Sequence, residues 1–440
     1  MFKRIGLGLL KRVVRYGLFV TLLECVRIVV EKLLWLFYRI GNVINTAIIK
    51  ALQKILGYLD IPIGIFVKYL VAKTTPVEPD KIMFLTFQGD YTCNPKRIAE
   101  EIIKENLDWN LIWDVKTDMP TSDYPLDLQF VEHNSLEFYQ NLASAKIIVE
   151  NTNIVERLHV HKKPGQYLFQ TWHGSLGIKR LDGDVVMGAR WKAIARACQK
   201  KVDFLLSNSS FETEVFHTSY WKNVPVLLTG HARNDVFYMS EEEKTKIRKK
   251  VFKKLNISED KKIFLFAPTH RDNVDESYQA LNYKLIKAAL EERFGGEWQI
   301  VVRLHNRLKK QSSSWLKAIP SYVSDGTLYE DMQELLVATD AGVTDFSSWI
   351  FDYVLSGKPG FIVEIGLDTF KEQRGFYYPI ETTPFPVAKN SKELAEKIRN
   401  FDEQKYVEDS KRFLEERGCM EDGHACERIV DKMKELMDEQ

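Results

Sequence analysis

Four histidines of this chain each follow a short apolar segment that has the composition of a buried β-strand. They are His173, His231, His270 and His305. Arginines stand close to three of them, as Arg233, Arg271 and Arg303. An imidazole exchanges a proton near neutral pH, and guanidinium groups bind phosphate. Although a single histidine is more often structural than catalytic, this concentration predicts acid–base chemistry beside a phosphorylated ligand.

A fifth cluster, Thr344-Asp345-Phe346-Ser347-Ser348, follows another predicted strand and precedes a predicted helix at Trp349–Leu355. Ser347 and Ser348 would lie in the first turn of that helix, where unpaired N–H groups and the helix dipole attract anions. Their hydroxyl groups add two donors. The cluster therefore predicts a pyrophosphate site, unless Asp345 or Ser347 is simply an N-cap that fixes the turn.

Strand and helix patterns alternate after residue 80, which indicates βαβ units and parallel sheets. The predicted strands are Ile82–Phe87, Leu111–Val115, Ile147–Glu150, Tyr167–Gln170, Phe204–Ser207, Val226–Thr229, Ile263–Phe266, Gln299–Val302, Ala341–Val343 and Gly360–Val363. The predicted helices between them cover 94–105, 209–219, 278–293 and 330–338. Ligands of such sheets bind at the carboxyl ends of the strands. We therefore predict an α/β protein with two Rossmann-like domains facing a cleft.

Two nucleotide-binding classes lack their sequence signature here. There is neither a G-x-G-x-x-G fingerprint nor a G-x-x-x-x-G-K-[ST] loop, which argues against a nicotinamide dinucleotide and P-loop hydrolysis. The Asp182-Gly183-Asp184 segment resembles a D-x-D metal motif, but its glycine-containing context favours an ordinary turn. We assign no residues to a metal site and no cofactor, and the sequence leaves dependence on a divalent metal open.

The amino-terminal segment differs in charge from the rest of the chain. Residues 1–73 contain twelve Lys/Arg and three Asp/Glu, a net charge of +9, which leaves −8 for the remainder of a chain whose total is +1. Amphipathic helices are predicted at 21–40 and 43–56, without an uncharged run of about 18 residues. This pattern favours peripheral, monotopic binding to an anionic membrane surface and not to nucleic acid; core helices of a bundle are the alternative.

The ordered motifs of residues 80–415 resemble those of the CDP-glycerol glycerophosphotransferase family, the teichoic-acid primases and polymerases. The resemblance rests on Thr171-Trp172-His173-Gly174 followed by Lys179-Arg180-Leu181, on Gly230–Asp235, on Ala267-Pro268-Thr269 with Arg271, on Arg303–His305, on Thr344–Ser348 with Phe351-Asp352, and on Gln373–Tyr378. It implies a GT-B-like fold and a location at the cytoplasmic face of the cell membrane. The five cysteines are scattered and are expected to be reduced, which agrees with that location.

The resemblance also implies roles for individual residues. His173 and His305 would be catalytic, with His173 as the general base. Donor binding would fall to Thr269, Arg271, Arg303, Asp345, Ser347 and Ser348, and the further site positions would be Gly174, Arg233, Asp235 and Arg374. The implied reaction moves glycerol phosphate or ribitol phosphate from CDP-glycerol or CDP-ribitol to a lipid-linked or capsular, teichoic-acid-like polymer. His270, Leu304 and Asn306 depart from the family pattern and leave the polyol open.

The implied domain ranges are 1–75 for the membrane-association helices, 80–240 for an acceptor-side domain, 241–415 for a nucleotide-donor domain and 416–440 for a carboxyl-terminal helix. Two alternatives for the function remain at this point. One is a GT-B glycosyltransferase that uses a nucleotide sugar in cell-surface polysaccharide synthesis. The other is a non-catalytic, membrane-bound protein that binds a polymer.

Overall fold

The computed structural model of the 440-residue chain describes residues 71–117, 119–152, 154–157, 162–175, 177, 179–185, 196–197, 199–219, 221–269, 281–304 and 320–439. The predicted membrane-association segment up to residue 70 lies outside these ranges. His270, Arg271 and His305 lie outside them as well. Within the described ranges, no helix combines the length and the apolar character that crossing a bilayer requires.

The strands and helices alternate along most of the chain. The strands are β1 (Glu78–Leu85), β2 (Asn110–Val115), β3 (Gln129–Glu132), β4 (Ala145–Glu150), β5 (Tyr167–Gln170), β6 (Phe204–Ser207), β7 (Val226–Leu228), β8 (Lys262–Phe266), β9 (Trp298–Val302), β10 (Val323–Asp325), β11 (Ala341–Thr344), β12 (Gly360–Val363) and β13 (Val387–Ala388). The helices are α1 (Cys93–Lys104), α2 (Leu136–Ser144), α3 (Ile154–Arg157), α4 (Ser210–Ser219), α5 (Glu241–Leu255), α6 (Tyr283–Phe294), α7 (Met332–Ala338), α8 (Trp349–Tyr353), α9 (Leu367–Gln373), α10 (Ser391–Arg399), α11 (Glu403–Glu416) and α12 (Ala425–Asp438).

The described strands form two sheets, and every pairing we can describe is parallel. The first sheet has the order β3-β2-β1-β4-β5-β6-β7, and the second has the order β10-β9-β8-β11-β12-β13. In the first, Met83 of β1 pairs with Ile112 of β2 and with Ile148 of β4. The central strands are almost fully buried, as expected where helices cover both faces of a parallel sheet. The predicted α/β class with parallel sheets is confirmed.

Three strands that the sequence did not predict, β3, β10 and β13, are all edge strands. They have two to four residues, and only part of each is buried. An edge strand pairs on one side alone and needs no continuous apolar run. The hydrophobic pattern that identified the central strands is therefore absent from these three.

The described chain divides into two compact units. One comprises the chain up to Gly89 together with 107–168, and the other comprises 90–106 together with 169–439. The second unit contains the whole second sheet, whose core includes fully buried Phe264, Val301 and Val343. All the described site residues discussed below belong to this second unit. The domain ranges 80–240 and 241–415 stay predictions.

Helix α1 is held in the second unit by a buried ion cluster. Lys96 Nζ lies 2.5 Å from Asp331 Oδ2 and 2.6 Å from Glu334 Oε1. Burial by itself lowers the pKa of Lys96, but the charges of Asp331, Glu100 and Glu334 together outweigh burial and raise this pKa above its usual value. Asp331 also caps α7 by accepting from the N–H groups of Gln333 and Glu334. The cluster therefore fixes the amino-terminal half of α1. This half contains Asn94, which holds a turn of the candidate site described below.

Replacing Lys96 by methionine should lower the free energy of unfolding by about 3–5 kcal/mol, because two buried carboxylates would lose their shared partner. Lys104→Met is the matched control, since Lys104 lies on the same helix, is 73% exposed and pairs with Glu101. That substitution should cost at most about 1 kcal/mol. Urea unfolding of both variants measures the difference. Equal stability of the two variants would contradict the buried cluster.

Candidate active site

His173 lies on the turn that follows β5. In that turn Trp172 has φ of 52°, in the left-handed region that few residues other than glycine adopt. The Trp172 N–H donates to Gln170 Oε1 at 2.9 Å. Its indole packs edge-on against Phe216 and Trp221, with ring centroids 6.4 and 5.2 Å apart. The anchored Trp172 thus directs the next residue outward, and His173 is exposed, with its ring 4.3 Å from the indole.

Two buried side chains from distant segments hold this turn. Asn94 Nδ2 donates to the carbonyl oxygens of Thr171 and Trp172, at 2.9 and 3.2 Å. The same amide accepts, through Oδ1, the N–H of Arg233 at 3.0 Å. Arg233 Nη2 donates to the Gly174 carbonyl oxygen at 2.6 Å. The carbonyl groups on both sides of His173 are therefore bonded to Asn94 or Arg233.

Arg233 is itself held by a buried ion pair with Asp352. Arg233 Nε lies 3.0 Å from Asp352 Oδ2, and Nη2 lies 3.2 Å from Oδ1. Asn234 Nδ2 and Gln333 Nε2 also donate to this carboxylate, at 3.0 and 2.9 Å. Burial by itself lowers the pKa of Arg233, but the charge and hydrogen bond of Asp352, together with the other nearby acidic groups, outweigh burial and raise this pKa. Both side chains are at least 94% buried. Because its pKa is raised, the Arg233 guanidinium is charged where it binds the turn.

The Ser347–Ser348 turn lies beside the His173 turn. A Cβ placed on Gly177 would lie 3.7 Å from Ser348 Cβ, so the two backbone segments are in near contact there. The Ser347 N–H donates to Thr344 Oγ1 at 3.3 Å, whereas the Ser348 side chain makes no capping hydrogen bond to its helix. The structure therefore brings Ser348 close to Gly177, four residues after His173, and the shared site of Ser348 and His173 stays a prediction.

The predicted helix at Trp349–Leu355 is present and ends at Gly357 as predicted, but only its first five residues are α-helical. Helix α8 contains five residues, continues as a 3-10 turn at Val354–Ser356, and ends at Gly357 with φ of 67°. Because the macrodipole depends on aligned peptide units, so short a helix attracts anions less than the sequence pattern suggested. The positive charge that would neutralise a bound phosphate must therefore come mainly from side chains.

Asp345 joins the carboxyl ends of β8 and β11. Its Oδ1 accepts from the Thr269 N–H and the Thr269 hydroxyl, both at 2.7 Å, and from the Phe346 N–H at 2.6 Å. Asp345 is fully buried. The carboxylate therefore positions Thr269 at the strand ends, and donor binding by either residue stays a prediction.

Arg303 contributes an incompletely paired cation at the end of β9. Its Nη2 donates to the Glu330 carbonyl oxygen at 3.1 Å, while the buried Nη1 has no hydrogen-bond partner among the described residues. Burial lowers the pKa of Arg303 to about 10, and the nearby Asp331 and Asp90 charges only partly oppose this effect. A buried guanidinium N–H without a partner favours binding of an anion.

Two further predicted site positions make protein contacts. Asp235 caps α12, because its carboxylate accepts from the N–H groups of Ala425 and Cys426 at 3.1 and 2.7 Å. Arg374 Nε donates to the Arg180 carbonyl oxygen at 2.8 Å. This bond joins the Lys179–Leu181 and Gln373–Tyr378 motifs, which also share a bridge between Lys179 and Phe376. Site roles for Asp235 and Arg374 stay predictions.

Sequence reasoning missed Asn94 and Glu421 and assigned no role to Asp352. Glu421 comes from the loop before α12, and its Oε1 accepts from Asn208 Nδ2 at 3.0 Å and Asn234 Nδ2 at 2.7 Å. Burial raises the pKa of Glu421 to about 7. Nothing near Asn94 in sequence marked it. Asp352 belongs to the Phe351-Asp352 motif, and this membership could have indicated a role for it.

Glu421 should make the stability of the protein depend on pH. Its folded pKa of about 7 exceeds the ordinary value of 4.5, so its contribution to stability is complete below pH 4.5 and is lost as the pH rises through 7. Glu421→Gln stays neutral and should gain stability relative to the wild type over this interval, by up to about 3 kcal/mol. Thermal unfolding between pH 4.5 and 8 measures the difference. Glu427→Gln, at an exposed position, should show the same dependence of stability on pH as the wild type. If Glu421→Gln also followed the wild-type dependence, the raised pKa of Glu421 would be refuted.

Known proteins resemble this chain over most of its length. It is 29% identical over 387 residues to the teichoic acid poly(glycerol phosphate) polymerase of Staphylococcus epidermidis, covering 84% of this chain and 53% of that protein. It is 28% identical over 378 residues to the teichoic acid glycerol-phosphate transferase of Staphylococcus aureus, covering 82% and 95%. The chain spans about half the length of the Staphylococcus epidermidis polymerase and of a similar polymerase from Bacillus subtilis.

A solved structure of the wall teichoic acid polymerase TagF matches with a TM-score of 0.72 at 27% identity, over 88% of this chain and 98% of that one. This likeness supports the predicted GT-B-like α/β arrangement of parallel sheets. The family model described as CDP-Glycerol:Poly(glycerophosphate) glycerophosphotransferase matches residues 67–435. Since the match takes in nearly all of the chain and confirms the resemblance in its motifs, this protein belongs to the CDP-glycerol:poly(glycerophosphate) glycerophosphotransferase family.

Proposed function

We propose that this protein transfers glycerol phosphate, or ribitol phosphate, from a CDP-activated donor to a hydroxyl group of a teichoic-acid-like polymer and releases CMP. Family membership supports the proposal. So do relatives named for poly(glycerol phosphate) and poly(ribitol-phosphate) polymerisation, which cover 84% and 83% of this chain. A TagF variant soaked with CDPG, 28% identical to this chain at a TM-score of 0.73, adds support for the donor.

One observation carries the assignment to this site: exposed His173 lies on a turn whose continuation at Gly177 approaches Ser348. This approach supports placing a titratable base and a hydroxyl-bearing turn in one site, at the carboxyl ends of β5 and β11. Parallel α/β sheets bind their ligands at such ends. The incompletely paired Arg303, at the end of β9, adds the positive charge that a diphosphate needs.

The proposed reaction is an attack by an acceptor hydroxyl oxygen on the β-phosphorus of the CDP-polyol. The new P–O bond joins the polyol phosphate to the polymer, and the bond to the bridging oxygen breaks, so that CMP leaves with both electrons of that bond. His173 takes the hydroxyl proton, which suits an imidazole near neutral pH. Because phosphoryl transfer depends mostly on positioning and charge neutralisation, no covalent intermediate is needed.

The remaining predicted residues have supporting roles in this proposal. Arg303 neutralises the diphosphate through its free Nη1, and Ser347 and Ser348 bind the phosphates through their hydroxyl groups. Asp345 keeps Thr269 oriented at the same sheet edge. Arg271 and His305, which lie outside the described residues, are assigned to the donor phosphates and to catalysis by the family resemblance alone.

The test is to incubate the purified protein with CDP-glycerol and CDP-ribitol, with teichoic-acid primer as acceptor, and to follow CMP. We expect CMP release with at least one of these donors. His173→Ala should lower kcat by about 100-fold or more with little change in the donor KM, because general-base catalysis contributes about 10²–10⁴-fold. Arg303→Met should instead raise the donor KM, because it removes a charge-assisted contact.

Other outcomes of the same assay contradict the proposal. Release of UDP from a nucleotide sugar, and not of CMP, would identify a sugar transferase. No nucleotide release from any donor would favour a non-catalytic polymer-binding protein. Near-normal kcat in His173→Ala would remove the base assignment even if the overall reaction holds. Thr245→Ala, at an exposed position on α5, is the control for handling and folding.

We also propose that the amino-terminal segment, residues 1–75, attaches the protein peripherally to the anionic cytoplasmic face of the membrane. Its net charge of +9 within residues 1–73 supports this, since each basic residue near an anionic surface adds about 1 kcal/mol of attraction. The full chain should float with vesicles that contain phosphatidylglycerol and should not float with phosphatidylcholine vesicles. A chain that begins at residue 76 should stay in the soluble fraction; its flotation would refute the assignment.

A further inference from the structure

Asp352 receives hydrogen bonds from three residues in two separate parts of the second unit, the Arg233–Asn234 segment and helix α7. Its Oδ2 accepts from Arg233 Nε and Gln333 Nε2, and its Oδ1 accepts from Arg233 Nη2 and Asn234 Nδ2, all between 2.9 and 3.2 Å. The residue is 4% exposed. A buried carboxylate is stable only when such donors replace water. Asp352 therefore fixes the relative positions of these segments.

Arg233 transmits this constraint to the turn that carries His173. The same Nη2 that contacts Asp352 donates to the Gly174 carbonyl oxygen at 2.6 Å. Trp172, on the other side of His173, has a left-handed backbone. Such a conformation costs about 1–3 kcal/mol and persists only where surrounding contacts impose it. Arg233, together with Asn94, supplies contacts of this kind.

Asp352 also belongs to the helix that begins after Ser348. Helix α8 runs from Trp349 to Tyr353, so Asp352 lies four residues after Ser348, one turn along. A single short helix thus contains the anchor of Arg233 and directly follows the turn assigned to the donor phosphates. The base and the phosphate turn are thereby connected through Asp352 and Arg233.

We propose that Asp352 and Arg233 are positioning residues for phosphoryl transfer, which set the place of His173 relative to the Ser347–Ser348 turn. The inference rests on the proposed function. A displacement of about 1 Å in a catalytic group can cost about 100-fold in rate. Loss of the pair should therefore slow turnover and leave donor binding nearly intact. Lysine cannot reproduce these contacts, because its single nitrogen cannot occupy the positions of both Nε and Nη2 of Arg233, which together bind Asp352 and Gly174.

The experiment compares Asp352→Asn and Arg233→Lys with Asp340→Asn in the full chain. Asp340 is the matched control, because Arg248 binds it through two bonds, of 3.1 and 2.9 Å, away from the His173 turn. With CDP-glycerol and primer, the first two variants should lose about 10- to 100-fold in kcat while the donor KM stays within about 2-fold. Asp340→Asn should keep kcat within about 2-fold. A donor KM that rises in proportion would show that Arg233 binds the substrate directly and would overturn the positioning role.

A double variant separates positioning from folding. Arg233→Met with Asp352→Leu removes both charges, so no unpaired charge stays buried, and such replacements of buried pairs are often neutral for stability. It should be more stable than Asp352→Asn, which leaves the Arg233 charge buried without its carboxylate, and it should remain as slow as Asp352→Asn. Recovery of kcat in the double variant would mean that the pair only stabilises the fold, and the proposal would fail.

Hydrogen exchange tests the positioning without any turnover. In Asp352→Asn the amides of the peptide covering 171–175 should exchange faster than in the wild type, and in Asp340→Asn they should not. Unchanged exchange in Asp352→Asn would refute the inference whether or not the protein releases CMP. Wild-type protein that releases no CMP, with faster exchange in Asp352→Asn, would refute the proposed function and leave the structural role of the pair standing.

Discussion

The ion pair between Arg233 and Asp352 is the interaction on which the arrangement of the candidate site depends. Both charges are buried, and their attraction alone does not offset the loss of hydration. The surrounding segments supply the missing hydrogen bonds, from Asn234 and Gln333 to the carboxylate and from the guanidinium to the Gly174 carbonyl oxygen. The residues that stabilise the pair are thus the residues that fix the His173 turn. The same contacts therefore determine both the stability of the ion pair and the geometry of the candidate site.

The short Gly230–Asp235 motif makes hydrogen bonds to several other segments of the second unit. His231 lies 3.0 Å from Glu212, Asn234 contacts Glu421, and Asp235 caps the amino terminus of α12. The side chains of the motif thus reach several parts of the second unit, and Arg233 and Asn234 share Asp352 as an acceptor. These contacts hold the segment in place, while site roles for Arg233 and Asp235 stay predictions.

The charges at the candidate site are distributed unevenly, which suits a diphosphate ligand. Lys96 and Arg233 form ion pairs with buried carboxylates, whereas the Arg303 guanidinium forms no ion pair within the part of the chain that the structure describes and donates from Nη2 to the Glu330 carbonyl oxygen. The short helix α8 contributes little dipole, so Arg303 becomes the main described source of positive charge. The exposed His173 and the uncapped hydroxyl of Ser348 then lie where a substrate can reach them. Family membership and this distribution of charge both support the proposed phosphoryl-transfer site.

The sequence by itself determined the α/β class, the central strands and the place of His173 after β5. It could do so because apolar runs and strand–helix alternation are local properties: β5, β6 and β12 begin and end where the apolar pattern does. The edge strands β3, β10 and β13 lack that pattern. Tertiary structure alone decided that Asn94 and Asp352 hold the His173 turn, because Asn94 is 77 residues from the Thr171 carbonyl it binds and Arg233 is 119 residues from Asp352. Hydrogen bonds over such separations depend on how the sheets and helices pack, which no local spacing encodes.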